Sequence, residues 1–329
     1  MLSPIYFFLP LCIFILVIFI LNRWAIKMDG NFIFGAFLIV YSIFIYPLVT
    51  DYGTYFNFVL SGILILLLPS LLSSMTSIQY SVNVWVLLGI ISLYVVEAIY
   101  RILNPIVYES MLEKQDESLM FYQYKYNSIM FLDSNFVAFS LISLLFIVDS
   151  FFHNEKLKRF FIITICILMM STFSRAGCIS LIVYLFVKHA TRSQKIYLLI
   201  LMAILASFVL PIILSDGSYL SKLDIIDSFL IYFEQADVIM LLFGVGVGRA
   251  IDFLHIGAHN IFVLLNVEFG FIAFIWYCAF VFFNVYKSKY KTVPYWIAIN
   301  LCGFSLGVIY PFVFFAALLP AYLHTRKCR

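Results

Sequence analysis

Charge is what this sequence has least of. Of its 329 residues, 11% are Asp, Glu, Lys or Arg, where ordinary globular domains carry about 25%, and 64% are hydrophobic. A water-soluble fold is excluded on that composition, and a polytopic membrane protein is implied. There is no basic run of the kind that grips nucleic acid, and a net charge of +3 adds nothing in that direction, so no nucleic-acid partner is expected. Paired cysteines are missing as well. Cys12, Cys166, Cys178, Cys278, Cys302 and Cys328 are scattered, five of them in apolar runs, without metal-ligand or redox-pair spacing; they read as packing residues. No internal repeat, linker or soluble domain interrupts the chain, which reads as one integral membrane domain over residues 1–329. The N-terminus lacks a basic leader and a small-residue cleavage site and is expected to be a retained first helix.

What is present is a series of apolar runs. A spanning helix needs about 20 apolar residues. Candidates are residues 4–22, 32–49, 55–73, 82–100, 135–152, 160–187, 196–214, 259–286 and 294–323. Fourteen of the 20 lysines and arginines fall in five clusters: Arg23/Lys27, Lys156/Lys158/Arg159, Lys188/Arg192/Lys195, Lys287/Lys289/Lys291 and Arg326/Lys327/Arg329. The positive-inside rule puts all five on the cytoplasmic side. Run 160–187 then has a cytoplasmic cluster at each end, so it must cross and return as a helical hairpin. Its expected midpoint is Ser174-Arg175, with Gly177 and the neighbouring Ser and Thr residues supplying the break. Each arm has about 14 residues, roughly 21 Å, and is shorter than the bilayer core. The same reasoning makes run 294–323 a hairpin, broken near Gly307 or Tyr310-Pro311. The expected fold is all-α, with about eleven transmembrane helices, the N-terminus outside, the C-terminus inside, and two larger outer loops at about 101–134 and 215–258.

Six basic residues break the bias: Arg101, Lys114, Lys125, Arg175, Lys222 and Arg249. Arg175 stands out because it interrupts an apolar run, where an arginine costs roughly 2.5 to 3.5 kcal/mol or more. It is either the polar turn of the hairpin or an anion-binding group. The glycines of Gly244-Val245-Gly246-Val247-Gly248-Arg249 have no βαβ unit around them, so a dinucleotide fingerprint is rejected. They allow backbone to approach a ligand or another helix closely. His255 and His259 are four apart, the spacing of a helical metal pair. Gly257 lies between them and no carboxylate or cysteine completes a set, so no metal is expected. His259 either caps the following helix or serves as a general base. Glu268, about 180° around that helix from His259, reads mainly as a buried partner for another polar group. Glu97 and Arg101 are spaced for an intrahelical ion pair. Asp133-Ser134-Asn135 has the form of a helix N-cap, with sugar binding as the alternative.

Taken in order, Asp133-x-Asn135-x-x-Ala138, Ser174-Arg175-Ala176, and Gly244-x-Gly246 followed by His259-Asn260-x7-Glu268-x-Gly270 resemble the bacterial O-antigen polymerase and O-antigen ligase superfamily. The resemblance covers roughly residues 130–290; the first four helices match only as hydrophobic spans. It implies an inverting, metal-independent glycosyltransferase without cofactor. The enzyme would sit in the inner membrane and act at the periplasmic face on glycans carried by undecaprenyl diphosphate, as donor and acceptor. Membrane lipid and a chain-length regulator protein are the other implied partners. The short chain and two outer loops look more like a polymerase than a ligase. In that reading Arg175 stabilises the leaving diphosphate, His259 deprotonates the acceptor hydroxyl and Asn260 orients it. The family's second arginine, early in the large loop, has no counterpart here. Lys222 is the only cation in that region, and the later Arg249 is favoured over it. Asp133, Asn135, Arg101, His255 and Glu268 complete the candidate substrate-binding set, and the aromatic string 121–126 is suited to stacking on sugar rings or to an interfacial belt. A lipid-linked oligosaccharide flippase and a structural membrane-assembly protein are the competing classes. The first predicts internal repeats; the second leaves Arg175, Arg249 and His259 without a purpose.

Overall fold

A computed structural model describes residues 28–74, 80–106, 123–131, 133–152, 154–191, 217–306 and 310–323, with the isolated positions 10, 13, 17, 193, 194 and 197. Apart from those positions, the predicted spans 4–22 and 196–214 lie outside the described residues, as do the acidic stretch 109–117 and the basic residues Arg23, Lys27, Lys114, Arg192, Lys195, Arg326, Lys327 and Arg329.

All regular structure among the described residues is helical: α1 (Gly30–Ile45), α2 (Tyr52–Ser74), α3 (Tyr80–Leu103), α4 (Ser134–Phe151), α5 (Glu155–Ser171), α6 (Arg175–His189), α7 (Gly217–Gln235), α8 (Val238–Phe243), α9 (Ala250–Leu254), α10 (Ile261–Glu268), α11 (Gly270–Lys287), α12 (Val293–Gly303) and α13 (Pro311–Leu323). Four stretches are long and apolar enough to cross a membrane: Gly30–Leu48, Tyr52–Leu71, Val84–Leu103 and Gly270–Lys287. Apolar side chains also cover their outward faces, such as Ile33 and Val40 on α1 or Trp85, Val96 and Leu103 on α3. A helix that is apolar all round needs a non-aqueous surrounding.

The hairpin predicted from the flanking basic clusters is present as α5 and α6. Its turn is Thr172-Phe173-Ser174, with Phe173 at φ 53°. The contacts to α4 establish that the arms run back to back. At one end, Ser134 Oγ donates to Thr172 O (2.7 Å). At the other, Asp149 near the end of α4 meets Lys158 Nζ (2.7 Å) from the start of α5 and Lys188 Nζ (3.3 Å) from the end of α6. The arms are 17 and 15 residues, about 25 and 22 Å. Gly177 is not the breaker expected from the sequence. It lies inside α6, where a Cβ would strike Ala138 Cβ of α4 and crowd Met169 Sδ, so its role is close helix packing. The break comes from Ser and Thr side chains instead. Thr172 Oγ1 returns to Met169 O (2.6 Å), and Ser174 Oγ accepts Gly177 N–H (3.2 Å).

The second predicted hairpin is also present, turning between Gly303 and Pro311, with Gly307 itself outside the described residues. Tyr295 near the start of α12 stacks on Phe146 (4.5 Å) and bonds Ser143 (2.9 Å), while Tyr310 and Phe312 pack edge-on to Phe131 near the start of α4. Run 259–286 does not form the single helix expected. It breaks at Phe269, between α10 and α11, because Gly270 turns the chain at φ 77° and the carbonyls of Val267 and Glu268 accept Val245 N–H (2.8 Å) and Gly246 N–H (3.2 Å) instead of continuing a helical ladder.

These contacts sort the helix ends into two sets. The hairpin tip, the start of α4, the α12–α13 turn, the α1–α2 link and the glycine loop share one end, the tip end. Asp29, Asp149, Lys158, Lys188 and Lys287 share the other, the lysine end, where Lys287 Nζ meets Asp29 Oδ2 at 2.6 Å.

Gly270 and Gly89 give opposite expectations. A Cβ at Gly270 would strike Leu242 O and Gly244 N, whereas Gly89 on α3 has nothing within 4 Å. Gly270→Ala is expected to cost about 2 kcal/mol or more, and Gly89→Ala to be near neutral. Thermal unfolding of the purified protein in detergent measures both.

Candidate functional site

Asp133 caps α4: its Oδ1 accepts Asn135 N–H (2.8 Å) and its Oδ2 accepts the Asn135 side-chain amide (3.1 Å). Asn135 Oδ1 in turn accepts Ser174 Oγ–H (2.7 Å), and Ser174 Oγ caps α6. Four groups from two helices thus form one continuous chain that fixes the residue after Ser174. That residue is Arg175, the first residue of α6, with its side chain exposed at the tip. Asp133, Asn135 and Ser174 therefore hold the backbone of Arg175 in place, and Ala138 is the small residue against which Gly177 packs.

The glycine loop is built for protein, not for open space. Gly244, Gly246 and Gly248 have φ of 81°, 105° and 87°. Side chains at these positions would overlap Glu268 and Gly270, Leu48, and Thr50 with Asp51, respectively. The loop clasps the α1–α2 link through Thr50 N–H (2.8 Å), Asp51 N–H (3.1 Å) and Thr50 Oγ1–H (2.9 Å), all donated to Val247 O. Tyr41 Oη donates to Phe269 O across the same junction. Glu268 is buried, and its Oε1 accepts Ala250 N–H (3.4 Å), so the buried-partner reading of this acid holds; the partner is backbone. Arg249 follows the last glycine. It is half-exposed, with its Nε 3.6 Å from Asp252 Oδ2, its Nη1 donating to Val245 O (3.4 Å) and its guanidinium 5.7 Å from the Phe253 ring. Phe253 is held from behind by Tyr232 of α7, whose ring meets it edge-on at 6.1 Å. Burial and the Asp237 carboxylate push the Tyr232 hydroxyl up to about 12, so it stays a donor to Met240 O (3.3 Å) at any physiological pH.

His255 and His259 do not share a helix. His255 ends α9 in the left-handed region at φ 56°, and His259 precedes α10. The helical metal-pair geometry is thereby removed. The capping reading of His259 is corrected too: Asn260 is the cap, its Oδ1 accepting Phe262 N–H (2.9 Å) and Val263 N–H (3.4 Å). His259 is left exposed beside Gly257 at the helix entrance. Arg101 and Glu97 form the expected ion pair (3.0 Å), but fully buried at 0% and 1% exposure. Arg101 Nη1 also donates to Tyr124 O (2.8 Å), and the Tyr124 ring lies against Phe173 of the tip (5.6 Å). That aromatic residue packs on protein, and Phe121 and Tyr122 lie outside the described residues. Lys222 is half-buried on α7.

Arg175, Arg249, His259 and Asn260 all come to the tip end. α6 lies along α12 with Ser180 at Cys302, and Ile261, the first residue of α10, packs on Gly303 at the end of α12. The N-termini of α6 and α10 are thus on the same side, with the end of α12 between them. From Arg175 the path to the glycine loop runs through Asn135, Phe136 against Tyr310 (5.6 Å), and Asp51, which lies within electrostatic range of Tyr310. Tyr310 was singled out in the sequence only as a place where run 294–323 could break, and Asp51 not at all; Asp51 looks like an ordinary turn residue, and its Oδ1 does accept Gly53 N–H (2.9 Å). Asp149 was also missed, although an acid at the end of an apolar run, seven residues before the basic cluster that opens with Lys156, was a readable signal.

The chain matches no model of a known protein family, no curated protein and no solved structure.

Burial decides what Arg101 does. Arg101→Leu strands a buried carboxylate, an expected loss of about 3 to 5 kcal/mol, and Glu97→Leu/Arg101→Leu is expected to recover most of it. Measured unfolding temperatures and protein levels of the single and double variants check this. A double variant no better than the single would return Arg101 to the ligand candidates.

Proposed function

We propose that this chain is a membrane-embedded, inverting glycosyltransferase of the O-antigen polymerase kind, with about eleven spans in a bacterial inner membrane and its tip end at the periplasmic face. It transfers a growing glycan from undecaprenyl diphosphate to a new lipid-linked repeat unit. The observation that supports the reading is that two arginines and a histidine, far apart in sequence, lie at the same end of the bundle, opposite the lysines. A positive-inside bias makes the lysine end cytoplasmic.

In the transfer, the acceptor hydroxyl oxygen bonds to the anomeric carbon from the face opposite the diphosphate. The anomeric C–O bond breaks, and the electron pair leaves with the undecaprenyl diphosphate. His259 accepts the proton of the attacking hydroxyl. Diphosphate is a good leaving group whose growing charge needs a fixed cation more than a general acid. Arg175 supplies it, held by the Asp133–Asn135–Ser174 chain; a guanidinium keeps its charge and can grip phosphate through two N–H groups. Arg249 is the second phosphate ligand, ahead of Lys222, because it borders the same end and is half-exposed.

Removing a group that stabilises developing charge costs about 100- to 1,000-fold in rate. Arg175→Ala is therefore expected to collapse the surface polysaccharide ladder to one repeat unit on lipid A-core while the protein still inserts at normal level. Gel analysis of the mutant strain reads this directly. Normal-length polymer would overturn the assignment. Bare core with unattached polymer would make the enzyme a ligase, and loss of any exported unit would make it a flippase.

A further inference from the structure

α7 and α8 carry an apolar surface that the bundle does not cover. On α7, Ile225 and Tyr232 are buried against the rest of the fold. Next to them around the helix, at about 100° per residue, come Phe233, Ile226, Leu230 and Leu223, all exposed, with Leu230 at 54%. Beyond that stripe stand Asp227, Glu234 and Asp224, also exposed. Leu220 and Ile231, also exposed, lie among those acids, so the order around the helix is core, open apolar stripe, then a sector of acids mixed with two apolar residues. α8 continues the stripe with Val238 and Ile239, 69% and 71% exposed.

Two observations identify what covers this surface. First, it is continuous with the outward faces of helices that are long enough to span: α8 ends at Phe243, which packs on Phe44 of α1 (5.0 Å), and Phe44, Val40, Phe271 and Ile275 are exposed around it. Second, α7 has 19 residues but includes Lys222, Asp224, Asp227 and Glu234, too many charges for a helix crossing the hydrocarbon core. An amphipathic helix of that pattern, joined edge to edge with a lipid-facing surface, belongs in the membrane interface with its apolar face about 5 to 10 Å into the boundary of headgroups and acyl chains.

We infer that α7 and α8 lie in the membrane interface at the tip end, with Leu223, Ile226, Leu230, Phe233, Val238 and Ile239 seated in the acyl region of the bilayer and the acids of α7 toward water. The loop segment behind Arg249 is then anchored by lipid, because Tyr232 on the inner side of α7 supports Phe253, on which Arg249 rests. The inference does not depend on the glycosyltransferase reading.

The test uses the whole protein in vesicles of phosphatidylethanolamine and phosphatidylglycerol. A carbene photoreagent dissolved in the acyl chains is expected to leave adducts on the wild-type chain at Ile226, Leu230 and Ile239 but not at Asp224 or Asp227. Nitroxide labels on Ile226→Cys, Ile239→Cys and Asp227→Cys, made in a chain whose native cysteines are replaced, give a second reading. The logarithm of the oxygen-to-nickel-chelate accessibility ratio is expected to be positive at 226 and 239 and negative at 227. No adducts on the stripe, or the same negative value at all three sites, overturns the inference. Labels at 226 and 239 that neither probe reaches also overturn it, since that outcome means a second copy or another protein covers the stripe.

Discussion

Inside a membrane a helix cannot end without finding protein partners for its last backbone groups, since no water is there to take them. The tip end contains several such endings close together: α5 into α6, α10 into α11, and the α12–α13 turn. The first two are resolved from within. Thr172, Ser174, Asp133 and Asn260 take backbone groups with short side chains, and the glycine loop brings its own N–H groups to the carbonyls of Val267 and Glu268. That last device demands contact closer than any side chain permits, which is why Gly244 and Gly270 face each other in conformations that other residues rarely adopt.

This constraint explains why so many of the chemically suggestive residues prove to be scaffolding. Asn135, Asn260 and Glu268 each satisfy the backbone or another cap; they set the position of the groups beside them, Arg175, His259 and Arg249. A site assembled on helix ends, not on a flexible loop, fixes those groups through the same bonds that make the interruptions tolerable. Rigidity of the site and stability of the bundle then come from one set of interactions.

How much of this could be read from the sequence follows from the range of each interaction. The α5–α6 hairpin was legible because orientation in a membrane is written locally, as basic clusters on either side of one apolar run. The Glu97–Arg101 pair and the cap at Asp133 were legible because they join residues two to four apart. The grip of Val247 on Thr50 and Asp51 was not, since nearly 200 positions separate them and glycines do not announce what they approach. For the same reason the break at Phe269 was hidden: nothing within run 259–286 shows that its carbonyls belong to another segment. Gly177 misled because a glycine near a turn and a glycine in a tight helix crossing look alike in one sequence.

The cations of the lysine end join helices. Lys158 and Lys188 converge on Asp149, with the Tyr184 hydroxyl at 2.8 Å, and Lys287 has Asp29. Each of these pairs fastens one helix to another, so removing a lysine there loosens a join. Arg175 is at the other end of the bundle. It opens α6, where the helix dipole is already positive and a further positive charge is unfavourable by about 0.3 to 1 kcal/mol. Asp133 accepts from both nitrogens of Asn135. An aliphatic residue at that position would leave the Asp133–Asn135–Ser174 chain intact and avoid both the dipole conflict and the burden of a charge in an apolar run. The bonds of that chain set the backbone position of Arg175 at the first residue of α6, so the start of the helix and the cation on it are placed together by the caps at Asp133 and Ser174.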